Sequence, residues 1–247
     1  MAVPAPLISE DRGPVRILRL NRPEKLNAFN TSLADALCDA LEAADEGHVK
    51  ALVLTSTGRA FSAGADINEL RGLDPSILAA AVRRRAELSL RLQQAVPRMR
   101  KPVVAALRGA AVGGGGALAL SCDMIVAAPD VRLGFPEIRQ GLVPALAMPI
   151  LQRHFPRKLS FELISTGRLL DAQELHTAGV VNQVVAADQV EECAIAIAQG
   201  WAALDPVALM ACKSLLSKVA DVGFQAGLDA GLAVNEAIRT ARESGGG

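Results

Sequence analysis

Apolar and polar residues alternate along "VRILRL" (Val15–Leu20), the period of a strand with one buried face. "NRPEKLNAFN" breaks that period with Pro23 and its asparagines and reads as a loop. Over Thr31–Glu46 the spacing becomes helical: Leu33, Ala36, Leu37, Ala40, Leu41 and Ala44 share one face, and Asn30, Thr31 or Ser32 can cap it. "ALVLT" (51–55) is a continuous apolar run, expected for a strand covered on both faces. "STGRAFSAGADINEL" follows as a loop turning into helix near Ala65. A long helix is predicted over residues 76–99, with Ile77, Ala81, Leu88, Leu92 and Val96 on its stripe. "PVVAALR" (102–108) and "DMIVAA" (123–128) read as two more buried strands, with a glycine run and a short helix between them. The alternation predicts an α/β fold with parallel strands. Beyond Pro144 short helical pieces dominate, with "VVNQVV" extended, a helix over 189–203 and two more before a "SGGG" tail.

Composition narrows the function classes. A chain of 247 residues fits one large domain, or one domain with a small appendage. Lys+Arg and Asp+Glu balance at 26 each and there is no Tyr, so neither a nucleic acid nor an anionic membrane is an expected partner. Cys38, Cys122, Cys193 and Cys212 follow no zinc or disulfide pattern, and His48, His154 and His176 have no ligand spacing, so no metal is expected. The start, "MAVPAPLISEDRG", lacks the apolar run of a signal peptide, and no apolar stretch approaches membrane-spanning length. These readings predict a reduced, cytoplasmic, globular protein.

The glycines of "VGGGGALALSCD" (112–123) need a chemical reason. A dinucleotide fingerprint fails, because Leu118 or Ala119 stands where its third glycine belongs. A phosphate loop fails too, because Gly115 and Gly116 replace its Lys-Ser/Thr pair. What remains is a helix start whose bare N–H groups face a ligand oxygen. A second loop of small residues, "FSAGAD" (61–66), follows the preceding buried strand. Neighbouring parallel strands place such loops at one edge of the sheet, so one amide from each can converge on one oxygen, the arrangement of an oxyanion hole.

"GRAFSAGADINEL", "AAVGGGGALALSCDMIVAA" and "LGFPEIRQGLVP" together resemble the enoyl-CoA hydratase/isomerase (crotonase) family, and "NRPEKLNAFN" and "STGRLLDAQELHTAGVVNQVV" fit the same pattern. The resemblance covers nearly the whole chain. It implies a crotonase-like spiral of ββα units (1–195), a helical C-terminal trimerisation region (196–247) and an acyl-CoA thioester substrate. Homotrimers or dimers of trimers are expected. No cofactor is implied, since coenzyme A enters as part of the substrate. Matched by motif, the oxyanion donors fall on the backbone of Ala65 and Gly114. Ala63, Gly64, Ala65, Asp66 and Ile67 would line the groove for the CoA adenine end, and Lys25 and Leu26 would lie near the pantetheine and phosphates. On its own chemistry Asp66 reads as a helix cap, and Asp123 as structural at a strand start. The Arg83-Arg84-Arg85 run reads as a solvated helix face.

Family hydratases carry one glutamate just after the glycines and a second in the "PEI" segment. Here the first position is Ala117 and the second is Glu137; an aspartate that some isomerases use after "GLVP" is Ala145. Hydration needs a held, activated water and a proton for the α carbon. A single carboxylate is better suited to carry a proton from C2 to C4 while the hole holds a dienolate. The main expectation is therefore 3,4-to-2,3 enoyl-CoA isomerisation with Glu137 as the shuttle, beside a dry wall at Ala117. The alternative is hydratase or dehydratase chemistry, and a third reading is a non-catalytic acyl-CoA-binding scaffold. The acyl pocket is expected from residues 70–95 and from those after Pro144.

Overall fold

The computed structural model describes residues 4–244; the three glycines of the predicted tail lie outside them. In chain order the strands and helices are β1 (Leu7–Arg12), β2 (Val15–Leu20), α1 (Thr31–Glu46), β3 (Ala51–Ser56), α2 (Pro75–Arg98), β4 (Val103–Leu107), β5 (Ala110–Val112), α3 (Gly114–Leu120), β6 (Met124–Ala127), β7 (Arg132–Gly134), α4 (Met148–His154), α5 (Arg157–Thr166), β8 (Leu169–Asp171), α6 (Ala172–Thr177), β9 (Gln183–Val184), α7 (Val190–Ala202), α8 (Pro206–Val219) and α9 (Phe224–Ser244). Short 3-10 turns at Pro23–Lys25, Ile67–Leu70 and Pro136–Gln140 lie between them.

The larger sheet runs β1-β2-β3-β4-β6-β9, antiparallel at β1/β2 and parallel from β2 onward. A smaller sheet runs β5-β7-β8. After β4 the chain crosses to β5 and then enters α3; after β6 it crosses to β7 and then enters the third 3-10 turn. This repeated strand–strand–helix step winds the core as the expected spiral. The larger sheet separates two apolar layers. Leu18 and Leu20 of β2 join Leu33, Leu37 and Leu41 of α1 on one side, while Val15 and Ile17 join Ala194, Ile195 and Ala198 of α7 on the other. Strand β3 is buried along its whole length, which explains its unbroken apolar run.

Helix α1 matches its predicted bounds, with Asn30 as the cap accepting from Leu33 N. Strand β1 was not anticipated. It is an edge strand of mostly polar residues paired through its backbone, so no apolar period marks it. The three-residue strands of the smaller sheet are too short to display a period. In α2 the stripe buries only at its second half: Leu92, Gln93 and Val96 are inside, whereas Ile77 and Val82 are exposed. The expected division between 195 and 196 falls within α7, whose Val190, Ala194, Ile195, Ala198 and Ala202 form one buried face.

Candidate functional site

Two pairing events bring the small-residue loops together. Ser62 bridges Ala111 of β5 in parallel, with Ser62 N donating to Ala110 O (3.0 Å) and Val112 N to Ser62 O (3.0 Å). Phe29 bridges Ala65 on the other side, using Gly64 O and Asp66 N. The Ala65 N–H takes no part in that exchange. Gly114 opens α3, so its N–H has no partner within the helix. The loops touch: a Cβ on Gly64 would sit 2.8 Å from Val112 O and 3.4 Å from Gly114 N.

The four glycines serve different needs. Gly113 has φ +55°, and a Cβ there would lie 2.9 Å from Glu137 Oε1. Cβ atoms on Gly115 and Gly116 would come within 2.6 Å of Ser62 Cβ and 2.8 Å of Ala111 O, so the helix start lies directly on the neighbouring backbone. At Gly114 the nearest neighbour of such an atom is Gln93 Nε2 at 3.6 Å, an ordinary contact.

A cavity of about 310 Å³ opens beside these loops, and Ala65, Gly114 and Glu137 all line it. Among the described residues, Glu137 is the single acidic one on its wall. It sits in the 3-10 turn after β7, with Pro136 ahead of it and Gly141 closing the turn in the left-handed region. Its Oε2 is buried without a hydrogen-bond partner. Burial pushes its pKa above the ordinary 4.5, and only a hydrogen bond from its own backbone opposes this. Arg139, two residues on, turns away from it: its Nε donates to Thr166 O (3.4 Å).

The rest of the wall is mostly apolar, from Phe29, Ala34, Leu88 and Leu92 to the 142–147 loop, which includes Ala145. The expected contributions from 70–95 and from beyond Pro144 are present. The start of α1 was missed: Asn30 and Thr31 lie on the wall, at a helix end that reads by itself as an ordinary cap. Arg85 was missed as well. Of the arginine run, Arg83 is solvated beside Glu87, but Arg85 turns inward, pairs with Glu69 and donates to Phe29 O (2.8 Å). Gln93 is the third, a polar residue beside Leu92 on the buried face of α2, and that misplaced polarity was its signal. Its Nε2 donates to Gly114 O (3.1 Å), and its Oε1 is buried without a partner.

The dry wall expected at Ala117 needs correction. Ala117 is 0% exposed and belongs to the main core, not to the cavity wall, because the helix turns its methyl inward. Gln93, reaching across from α2, lines the cavity beside the start of α3 instead. Lys25 is exposed and Leu26 half-buried, outside the cavity wall; Leu26 O accepts from Ala63 N (2.9 Å), which holds those two segments side by side. Ile67 is exposed. Asp66 caps the Ile67–Leu70 turn through Asn68 N (3.2 Å) and accepts from Arg22 (3.1 Å). Asp123 accepts from Val103 N (2.7 Å) and Lys213 (2.7 Å), a structural role at the start of β6. Among the described residues no cluster of three or more His, Cys, Asp or Glu could hold a metal.

With this geometry in place, the comparisons are specific. Residues 10–244 match the family model described as enoyl-CoA hydratase/isomerase. The 2,3-dehydroadipyl-CoA hydratase of Escherichia coli K12 is 38% identical over 225 residues, 90% of this chain and 86% of that relative. A short-chain-enoyl-CoA hydratase of Clostridium acetobutylicum is 32% identical, covering 92% and 85%. Among solved structures, an enoyl-CoA hydratase from Bacillus anthracis superposes with a TM-score of 0.88 at 31% identity, over 94% of this chain and 90% of that one.

Proposed function

The chain belongs to the enoyl-CoA hydratase/isomerase family, and we propose that within it this enzyme adds water to a 2-enoyl-CoA, with Glu137 as its acid–base group. The observation that carries the proposal is Glu137 itself, whose side chain lines the cavity beside the start of α3 and whose Oε2 is buried without a partner. The names of the relatives support hydration over the isomerisation expected from the sequence, and that expectation leaned on a wall that Ala117 does not form. In this reading the N–H groups of Ala65 and Gly114 hold the thioester oxygen. Each contributes roughly 3–4 kcal/mol as charge develops there. Glu137 takes a proton from water as its oxygen bonds to C3, and returns that proton to C2 as the enolate collapses. Ala63 to Ile67, with Lys25 and Leu26, would receive the CoA moiety. The reaction requires no cofactor beyond the coenzyme A of the substrate. Isomerisation stands as the second reading, favoured by the single carboxylate on the wall.

The test compares kcat/KM of the purified protein for hydration of 2-enoyl-CoA and isomerisation of 3-enoyl-CoA at matched chain lengths. Hydration is expected to be faster, and Glu137→Gln to lower it by at least a hundredfold. Faster isomerisation would promote the second reading. Tight acyl-CoA binding with no turnover of either kind would point to the scaffold.

A further inference from the structure

We infer that Gln93 positions the attacking water, accepting one of its hydrogens while Glu137 takes the other; this rests on the hydration reading. Among the described residues, two buried side-chain polar atoms lack a hydrogen-bond partner, Gln93 Oε1 and Glu137 Oε2, and both side chains line the same cavity. Native proteins leave few buried polar atoms unpaired, so two at one cavity point to a missing ligand. The orientation of the Gln93 amide is fixed by Gly114. Its Nε2 donates to Gly114 O, and the flipped amide would set two carbonyl oxygens against each other, so the unsatisfied atom is the acceptor.

The two side chains also converge on consecutive residues. Glu137 Oε1 is 2.9 Å from where a Cβ of Gly113 would stand, and Gln93 Nε2 is 3.6 Å from the corresponding point on Gly114. Helix α3 offers no polar side chain of its own there, since residues 113–116 are glycine and Ala117 is buried in the core. Gln93 is itself only 8% exposed, on a helix face otherwise buried through Leu92 and Val96, where an aliphatic residue would pack without leaving an orphan oxygen. An ionised carboxylate and an amide oxygen both accept. The smallest ligand that satisfies both is one with two donor hydrogens and a free lone pair, which is water.

The step balances without a second acid. The water oxygen bonds to C3 as the O–H bond facing Glu137 breaks, the proton passes to the Glu137 carboxylate, and Glu137 delivers it to C2 as the enolate collapses. The hydrogen accepted by Gln93 stays on the new hydroxyl. Gln93 is therefore needed for hydration and not for proton transfer between Glu137 and C2.

That difference supplies the test. The whole protein and its Gln93→Met and Gln93→Glu variants would be assayed for hydration of crotonyl-CoA, and for exchange of the C2 hydrogen of butyryl-CoA in D2O. Gln93→Met removes the acceptor at similar volume; it is expected to lower hydration kcat about a hundredfold with exchange nearly unchanged. Gln93→Glu restores an acceptor oxygen and is expected to hydrate faster than Gln93→Met. Equal loss of hydration and exchange in Gln93→Met would overturn the inference, leaving Gln93 as a prop for Gly114. Unchanged hydration in that variant would overturn it too, with the hydration reading intact. Wild-type protein that exchanges but does not hydrate would overturn the hydration reading, and the water role with it.

Discussion

Glu137 has no cation beside it and no donor on Oε2, so burial alone sets its titration above 4.5. As a base it must be ionised, so hydration kcat/KM should fall on the acid side through a pKa above 4.5, and a pH–rate profile measures it. An acid limb at or below 4.5 would place the working carboxylate elsewhere. Stability carries the opposite sign. A group whose folded pKa is raised contributes stability in full below its unfolded value, and that contribution is lost as pH rises through the folded value. Glu137→Gln removes the buried charge, so its Tm should exceed that of wild type at pH 8, with the difference shrinking toward pH 4.5. Thermal melts at both pH values check this, and a variant less stable at pH 8 would contradict the burial argument. In the proposed reaction the same residue thus weakens the fold where it is most useful to the chemistry.

At the level of elements, the site is a junction of three backbone segments, ending at Phe29, Ala65 and Gly114. The proposed reaction rests on two N–H groups of these loops, and substitutions at Gly114 separate backbone from side chain. Gly114→Ala keeps the N–H and meets Gln93 Nε2 at an ordinary 3.6 Å, so it should retain most activity. Gly114→Pro deletes the N–H at the first helical position, where proline is tolerated. It should cost a hundredfold or more in kcat while melting near wild type. A folded proline variant with normal turnover would remove Gly114 from the reaction. These loops were legible in the sequence because small residues at a helix start have few other uses, and α1 and the buried strands were legible because their periods are long enough to count. Gln93 and Arg85 were not. Each sits on α2, whose stripe predicts a helix but not how it crosses α3 or the 67–70 turn, and only that crossing makes a core glutamine or a surface-looking arginine part of the wall. Ala117 failed for the related reason that position in a motif does not reveal which way a methyl faces.

At the scale of the whole molecule, the last two helices leave an apolar surface uncovered. Helices α8 and α9 pack on each other, and α8 is pinned to the core where Lys213 Nζ donates to Asp123 (2.7 Å) and to Lys101 O (2.8 Å). With α8 held there, Leu216 is 73% exposed, and on α9 Phe224 is 84%, Leu232 60% and Leu228 53% exposed. Monomers seldom expose that many large side chains on one appendage. The apolar residues of these helices divide. Leu215, Val219 and Ile238 are partly covered, while Leu216, Leu228 and Leu232 remain on the surface. We propose that copies of this chain cover the surface. A closed ring of three lets each subunit offer one patch and receive another, which matches an appendage standing off a separate core. Sedimentation at micromolar concentration should then give a trimer or a dimer of trimers. The double substitution Leu216→Glu with Phe224→Glu should drive the protein toward a 25.8 kDa monomer, because it buries two unpaired charges at the contact. Wild-type protein that stays monomeric at that concentration would leave these helices without a partner of their own kind.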